Sequence, residues 1–191
     1  MNLISVTTAL SPFNDFSQVP PDRLAYATQR GTDVHAACAA YARNLPVFAS
    51  NGSAPYFESF RNWFDNYVKR ALFVEAEFSD PSTYGIIGHV DLVAELVDSR
   101  IVVVDYKTPV AESATWRAQL AAYCYLCKPV VGEVGGMALK LSPHGKVATA
   151  IQYKQQAADM AAFLSALAAY RYFKEGTGGP KSHKPINAIV A

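Results

Sequence analysis

Asp91, Asp105 and Lys107 are the side chains best equipped for chemistry. They lie in GHVDLVAELVDSRIVVVDYKT, Gly88 to Thr108, a stretch otherwise dominated by aliphatic residues. Two carboxylates and an ammonium among such neighbours are costly to withhold from water unless something pairs them. A hard divalent cation such as Mg²⁺ takes carboxylate and carbonyl oxygens and keeps several waters. Asp91 and Asp105 can each supply an oxygen, and the Tyr106 backbone carbonyl a third. An ion held there polarises a phosphoryl oxygen and lowers the pKa of a bound water. Lys107 can then orient that water or stabilise charge building on a phosphate. Such a set suits hydrolysis of a phosphodiester.

These residues need two strands and a turn to meet. The stretch reads as a hairpin with Asp98, Ser99 and Arg100 as its loop, which sets Val97 opposite Ile101. That register puts Lys107 across from Asp91 and Asp105 diagonal to it, all on one face, because strand side chains alternate. A two-residue loop sends the aspartates to opposite faces, so the chemistry itself predicts the loop length.

The flanking segments read as scaffold. Residues 1–20 look loop-like. PPDRLAYATQR suits a helix with Pro near its start and an acid in the first turn. Gly31 punctuates it, and Thr32 reads as the N-cap of a second helix with Val34, Cys38, Tyr41 and Leu45 as its apolar stripe. His35 sits beside that stripe. YFESFRNWFDNYVKR is an aromatic amphipathic helix, with Tyr56, Phe60, Trp63, Phe64 and Tyr67 on a face better suited to core than to base stacking. Leu72–Phe78 is strand-like. A helix follows from Ser113 to Lys128, on which Gln119 and Tyr123 share a face; Trp116 and Arg117 near its start are candidates for nucleic-acid contact or for ordinary packing. Strands over about Gly135–Leu141 and Val147–Tyr153 flank the turn Ser142-Pro143-His144-Gly145. A helix from Gln155 to Phe173 precedes an irregular tail, 176–191. The order implies an α/β (α+β) fold, a central mixed β-sheet flanked by helices, in a single domain over 1–191 with its core at about 31–175.

Composition narrows the function classes. The 17 basic and 16 acidic residues nearly cancel, so any nucleic-acid surface must be local. No apolar run approaches the length of a membrane span, and the N-terminus lacks a signal-peptide pattern. The 3 cysteines imply no disulfide framework, and a reducing cytosol is the expected setting. Cys124-x-x-Cys127 lies on a helix with no second pair, which suits packed thiols better than a redox or zinc site.

Beyond the hairpin, Asp91 followed by Asp105-Tyr106-Lys107 resembles the PD-(D/E)XK nuclease superfamily. Gly31-Thr32-x-Val34-His35, Gly88 ahead of Asp91, and Gln119-x-x-x-Tyr123 are similar to its RecB-type branch, which includes recombination exonucleases, CRISPR-adaptation nucleases and many phage-encoded nucleases. The likeness spans roughly Gly31 to Tyr123. It implies a restriction-endonuclease-like core and a Mg²⁺- or Mn²⁺-dependent DNA exonuclease in recombination or repair, with DNA and a recombination or annealing protein as possible partners. It implies metal ligation by Asp91, Asp105 and His35, and a catalytic role for Lys107. Gln119 and Tyr123 would line the DNA cleft, and Glu75, or Glu77 in its place, would assist the metal or its water. Some relatives hold an iron–sulfur cluster on four cysteines; this chain has too few, so no cluster is expected. A DNA-binding module that no longer cleaves, and a site-specific endonuclease, stay open as alternatives, as do oligomeric state, strand preference and polarity.

Overall fold

A computed structural model of the chain describes residues 3–109 and 111–175. The expected tail at 176–191 lies outside the described residues. The elements run β1 (Ile4–Ser5), α1 (Val6–Leu10), a 3₁₀ turn (Ser11–Phe13), α2 (Pro21–Ala42), α3 (Ala54–Tyr67), β2 (Val68–Asp80), β3 (Ile86–Leu96), β4 (Ile101–Lys107), α4 (Thr115–Val131), β5 (Gly135–Lys140), β6 (Thr149–Gln152) and α5 (Gln156–Tyr170), closing on a π-type turn, Arg171–Glu175. Among the described residues six strands form one mixed sheet with helices packed on both faces, as the element order implied.

Two cores sandwich the sheet. On one face Val90, Val93, Val103 and Ala138 pack with Val6, Leu10, Trp116, Leu120, Tyr123 and Phe163 from α1, α4 and α5. On the other, Leu92, Ala94, Val102, Val104, Tyr106 and Leu139 pack with Val34, Cys38, Phe60 and Trp63 from α2 and α3. The run Val102-Val103-Val104 is apolar because both faces of β4 are covered.

β3 organises the sheet. β2 pairs antiparallel along one edge of it, from Val68↔Leu96 to Asp80↔Ile86. Its other edge is shared: β4 pairs at Leu92↔Val104 to Glu95↔Ile101, and β1 pairs in parallel at Ile4↔Ile86 and Ser5↔Ile87. Gly88 to Asp91 fall between these partners, where the edge opens onto a cleft.

Four expectations need correcting. The hairpin loop is Val97-Asp98-Ser99, one residue earlier than read from sequence, closed by Leu96 N–H to the Arg100 carbonyl at 2.8 Å. Ser99 takes a left-handed φ of 68° there, the turn-closing conformation of a three-residue loop. Continued past Leu92↔Val104, this register sets Asp91 across from Asp105 rather than Lys107, with side-chain parity unchanged. Second, Gly31 does not divide the N-terminal helix. α2 runs unbroken for 22 residues, and Thr32 donates its hydroxyl back to the Thr28 carbonyl instead of capping. Helix propensity tolerates one Gly at a modest cost, and the packed face of α2 outweighs it. Third, Leu45 lies beyond α2 and is exposed, as is Tyr67, so neither belongs to its expected apolar face. Fourth, residues 4–13 are structured: Ile4, Val6, Ala9 and Leu10 are buried, and Ser5 caps α1 by accepting the Thr8 N–H at 3.0 Å.

The cysteines are free and buried. Burial pushes Cys127, and Cys124 with its Cys127 neighbour, up to about 12, which leaves packed, unreactive thiols.

Candidate active site and metal centre

Alternation along β4 separates its functional residues from its core residues. Tyr106 points with Val102 and Val104 toward α2 and α3. Asp105 and Lys107 point the other way, toward α4. There the Lys107 ammonium pairs with Asp105 Oδ2, and Gln119 joins them. Its Nε2 donates to Asp105 Oδ1 at 2.8 Å and to the Tyr123 hydroxyl at 3.1 Å, while its Oε1 accepts from Lys107 Nζ at 2.9 Å. Gln119 is therefore a clasp that fixes both charged groups. The Lys107 ammonium also lies 5.5 Å from the Trp116 ring, a cation–π distance. Burial pushes the Asp105 carboxyl above its usual range against the pull of Lys107, and Asp91 adds to the rise.

Asp91 is buried at the open edge of β3. Its Oδ2 accepts the Tyr106 N–H at 2.7 Å, and its Oδ1 lies 3.2 Å from His35 Nδ1 on α2. The other ring nitrogen, His35 Nε2, is 3.2 Å from the Tyr106 carbonyl. A carboxylate and a carbonyl are both acceptors, so the ring must donate from both nitrogens and be an imidazolium. Burial opposes that charge, but Asp91, with Asp105 and Glu75, lifts the His35 pKa to about 9.

Glu75 lies opposite Asp91, between the pairs Val74↔Leu92 and Ala76↔Val90. Its φ of 46° is left-handed, which costs a non-glycine residue about 1–2 kcal/mol. Both strands change face at this level: Val74 and Leu92 pack toward α3, Phe78 and Val90 toward α4. The strain thus accompanies a crossover that turns the Glu75 carboxylate toward His35 and Asp91. Period-two parity does not carry through it, so Glu77 is exposed and Glu75 alone faces the site. Burial and then Asp91 raise the Glu75 pKa, against the opposing pull of His35. His89, which the sequence reading passed over, has its Nε2 3.6 Å from Glu75 Oε2; its place two residues before Asp91 was the available signal.

Could these residues hold a divalent ion? His35, Glu75 and Asp91 offer ligand atoms all within 4.8 Å of one another. Glu75 Oε1 is buried without a hydrogen-bond partner, an acceptor with lone pairs to spare. Oxygen donors with one imidazole suit Mg²⁺ or Mn²⁺, so the set fits such an ion. Asp105 and the Tyr106 carbonyl adjoin this trio across the Tyr106 peptide.

His35, Asp91, Asp105, Lys107, Gln119, Tyr123 and Trp116 line one cleft of about 780 Å³. Its walls include Ser5–Thr7 and Phe13–Phe16 of the N-terminal segment on one side, and Thr108, Pro109 and Ala111–Ser113 ahead of α4 on the other. Trp116 reaches the cleft from the core, where it is buried. Arg117 points elsewhere: it pairs with Asp159 of α5 at 3.0 Å and lies over Tyr153. Gly88 serves the same geometry, because a Cβ there would meet the Tyr123 ring at 2.9 Å and Leu126 Cδ1 at 2.8 Å.

The PD-(D/E)XK nuclease superfamily model matches residues 49–179, well over half of the chain. This chain belongs to the PD-(D/E)XK nuclease superfamily. Asp91, Asp105 and Lys107 fall inside the matched region; His35 and the N-terminal wall precede it. Superfamily members are nucleases that use divalent metals. Among solved structures the chain is similar to an alkaline exonuclease from Laribacter hongkongensis, with 10% identity, a TM-score of 0.41, and 91% of this chain and 92% of that one covered. No curated protein matches it. Among the described residues no helix is long and apolar enough to cross a membrane.

Proposed function

We propose that the chain is a Mg²⁺- or Mn²⁺-dependent deoxyribonuclease that hydrolyses phosphodiester bonds at DNA ends. One observation carries the reading. Asp105 and Lys107, from one strand, open into the same cleft as Asp91 and His35, and Gln119 holds the first pair in place. The RecB-type likeness of the Gly31–His35 and Gln119–Tyr123 segments favours the exonuclease form and a role in recombination or repair.

His35, Asp91, Asp105 and the Tyr106 carbonyl would hold the ion, with Glu75 beside them. When bound, the ion supplies a Lewis acid for the phosphoryl oxygen and an acidified water. Lys107, pinned by Asp105 and Gln119, keeps a positive charge where negative charge builds during attack. The Tyr106 N–H holds Asp91 Oδ2, so the carboxylate stays oriented and its Oδ1 is free for the ion once the His35 ring gives up the proton it directs there. Buried Tyr123 and Trp116 exclude water behind Lys107 and keep its charge unscreened.

The test is nucleotide release from end-labelled linear DNA with Mn²⁺, comparing the native protein with Lys107→Ala. The native protein is expected to release mononucleotides or short products and to leave covalently closed circles intact; the variant is expected to be inactive. Equal activity in the two proteins would overturn the assignment of Lys107, and cutting of closed circles would replace the exonuclease with an endonuclease.

A further inference from the structure

The N-terminal wall of the cleft carries two phenylalanines that no core absorbs. Phe13, closing the 3₁₀ turn, is 57% exposed, and Phe16 is 54% exposed. Both line the cleft that holds Asp91, Asp105 and Lys107. Isolated exposed apolar residues are ordinary; two aromatic rings on one wall of a charged cleft form a surface with a use.

The wall is anchored, so the rings are presented from a fixed frame. Leu10 and Ala9 of α1 are buried ahead of it. Asn14 N–H donates to the Ser11 carbonyl at 3.2 Å, and Asn14 Oδ1 accepts the Thr115 hydroxyl of α4 at 2.9 Å. Asp15 Oδ1 accepts the Ser17 N–H at 2.9 Å, and Val19 N–H closes onto the Phe16 carbonyl at 2.9 Å. The segment is thereby tied to the helix that carries Gln119.

Charge in the cleft argues for bases rather than backbone at this wall. At the floor Lys107 and His35 are already paired with Asp105 and Asp91, while the walls bring Asp15 and Glu112. A wall with acidic groups repels phosphates, whereas stacking of a base on an aromatic ring needs no charge and tolerates any sequence. Bases inside a duplex already stack on one another, so only an unpaired or terminal base can use these rings.

We infer that Phe13 and Phe16 form a stacking platform for an unpaired base of the substrate strand, beside the scissile phosphate, so that the site takes DNA with a single-stranded or frayed end. This rests on the nuclease reading and narrows its substrate class. The platform positions the strand; it does not touch the reacting atoms.

The test measures binding in Ca²⁺, to suppress cleavage, by anisotropy of a fluorescent single-stranded oligonucleotide and of an abasic oligomer of equal length and charge. The native protein is expected to prefer the base-bearing oligomer. Phe13→Ala with Phe16→Ala should reduce affinity for it by roughly 5- to 150-fold and leave the abasic oligomer nearly unaffected. Phe13→Trp with Phe16→Trp should restore the preference. Both rings are exposed, so the melting temperature should hold in each variant. If the alanine protein retains the native preference, or the native protein does not discriminate the two oligomers, the platform is wrong while the nuclease assignment stands. If the native protein binds neither oligomer and releases no nucleotide from any DNA, both fail together.

Discussion

His35 makes metal binding a proton-release reaction. Its ring donates to Asp91 and to the Tyr106 carbonyl at once, and its pKa is lifted to about 9. A metal can use a ring nitrogen only after the proton leaves. At pH 7 the ring is two units below its pKa, so about one molecule in a hundred has a nitrogen free, and apparent affinity is about a hundredfold below that of the deprotonated site. Affinity for Mn²⁺ should therefore rise about tenfold per pH unit from pH 6 to 8 and flatten near 9. Titration calorimetry at pH 7, in buffers of different ionisation enthalpy, should report close to one proton released per ion. His35→Ala should bind more weakly, with most of the proton release gone. Two results would refute the reasoning: no proton release by the native protein, or a pH slope that persists unchanged in His35→Ala, which would point to Glu75 or Asp105. A corollary concerns the metal-free fold. A histidine whose pKa rises on folding contributes stability that is complete below its unfolded value near 6.5 and lost as pH climbs through the folded value. In chelator, the melting temperature should fall between pH 6.5 and about 9.

Other perturbations read separate parts of the site. Asp105→Asn should cut metal-dependent cleavage about a hundredfold or more with little loss of fold, because a costly buried charge leaves with the ligand; unchanged Mn²⁺ affinity by calorimetry would contradict it. Gly88→Ala should destabilise by about 1–3 kcal/mol in urea unfolding, since the new methyl overpacks Tyr123 and Leu126, and wild-type stability would mean that α4 shifts freely. Glu75→Gly should be more stable than Glu75→Ala by about 1–2 kcal/mol, because both lose the carboxylate but only Gly suits the left-handed backbone; equal unfolding midpoints would remove the strain argument.

What could be read in the residues was the chemistry and the order of elements. Paired acids, a lysine two residues after the second acid, and the apolar strands around them indicated the cleft. The mixed sheet followed from the alternation of strand and helix patterns. Period-two logic also held along β4, separating Asp105 and Lys107 from Tyr106. It failed at Glu75, where a left-handed residue breaks the alternation and no propensity in AEF or VEA announces it. The loop shifted to Val97-Asp98-Ser99 because Ser99, a poor left-handed former by type, takes that conformation under pairing from both strands. The N-terminal wall was missed for a different reason. Its hydrophobic residues, Ile4, Val6, Ala9 and Leu10, are too few for a periodic signal, and β1 is held by a long-range pairing with β3. Arg117 shows the limit of placing a residue by its neighbours: Trp116 and Gln119 reach the cleft, but the partner that decides where Arg117 points, Asp159, lies on a helix far along the chain.

Tyr106 explains how groups on two faces of the sheet become one site. The pairing of β3 with β4 ends at Leu92↔Val104, so the Tyr106 peptide has no strand partner on the β3 side. Asp91 takes its N–H and His35 takes its carbonyl. The ring anchors that peptide on the far face, edge-on to Phe60 at 5.1 Å and to His35 at 5.4 Å. One residue thus ties the β3 carboxylate, the α2 imidazole and the aromatic core of α3 to the strand that carries Asp105 and Lys107. Its neighbours on that strand face α4, where Gln119 holds them. The separation of β3 and β4 at the edge is therefore not a defect in the sheet: it frees the backbone groups that orient Asp91 and His35. A ladder that continued one more pair would occupy the Tyr106 N–H with a strand carbonyl and leave the Asp91 carboxylate buried without its donor, which is costly enough to favour the open edge.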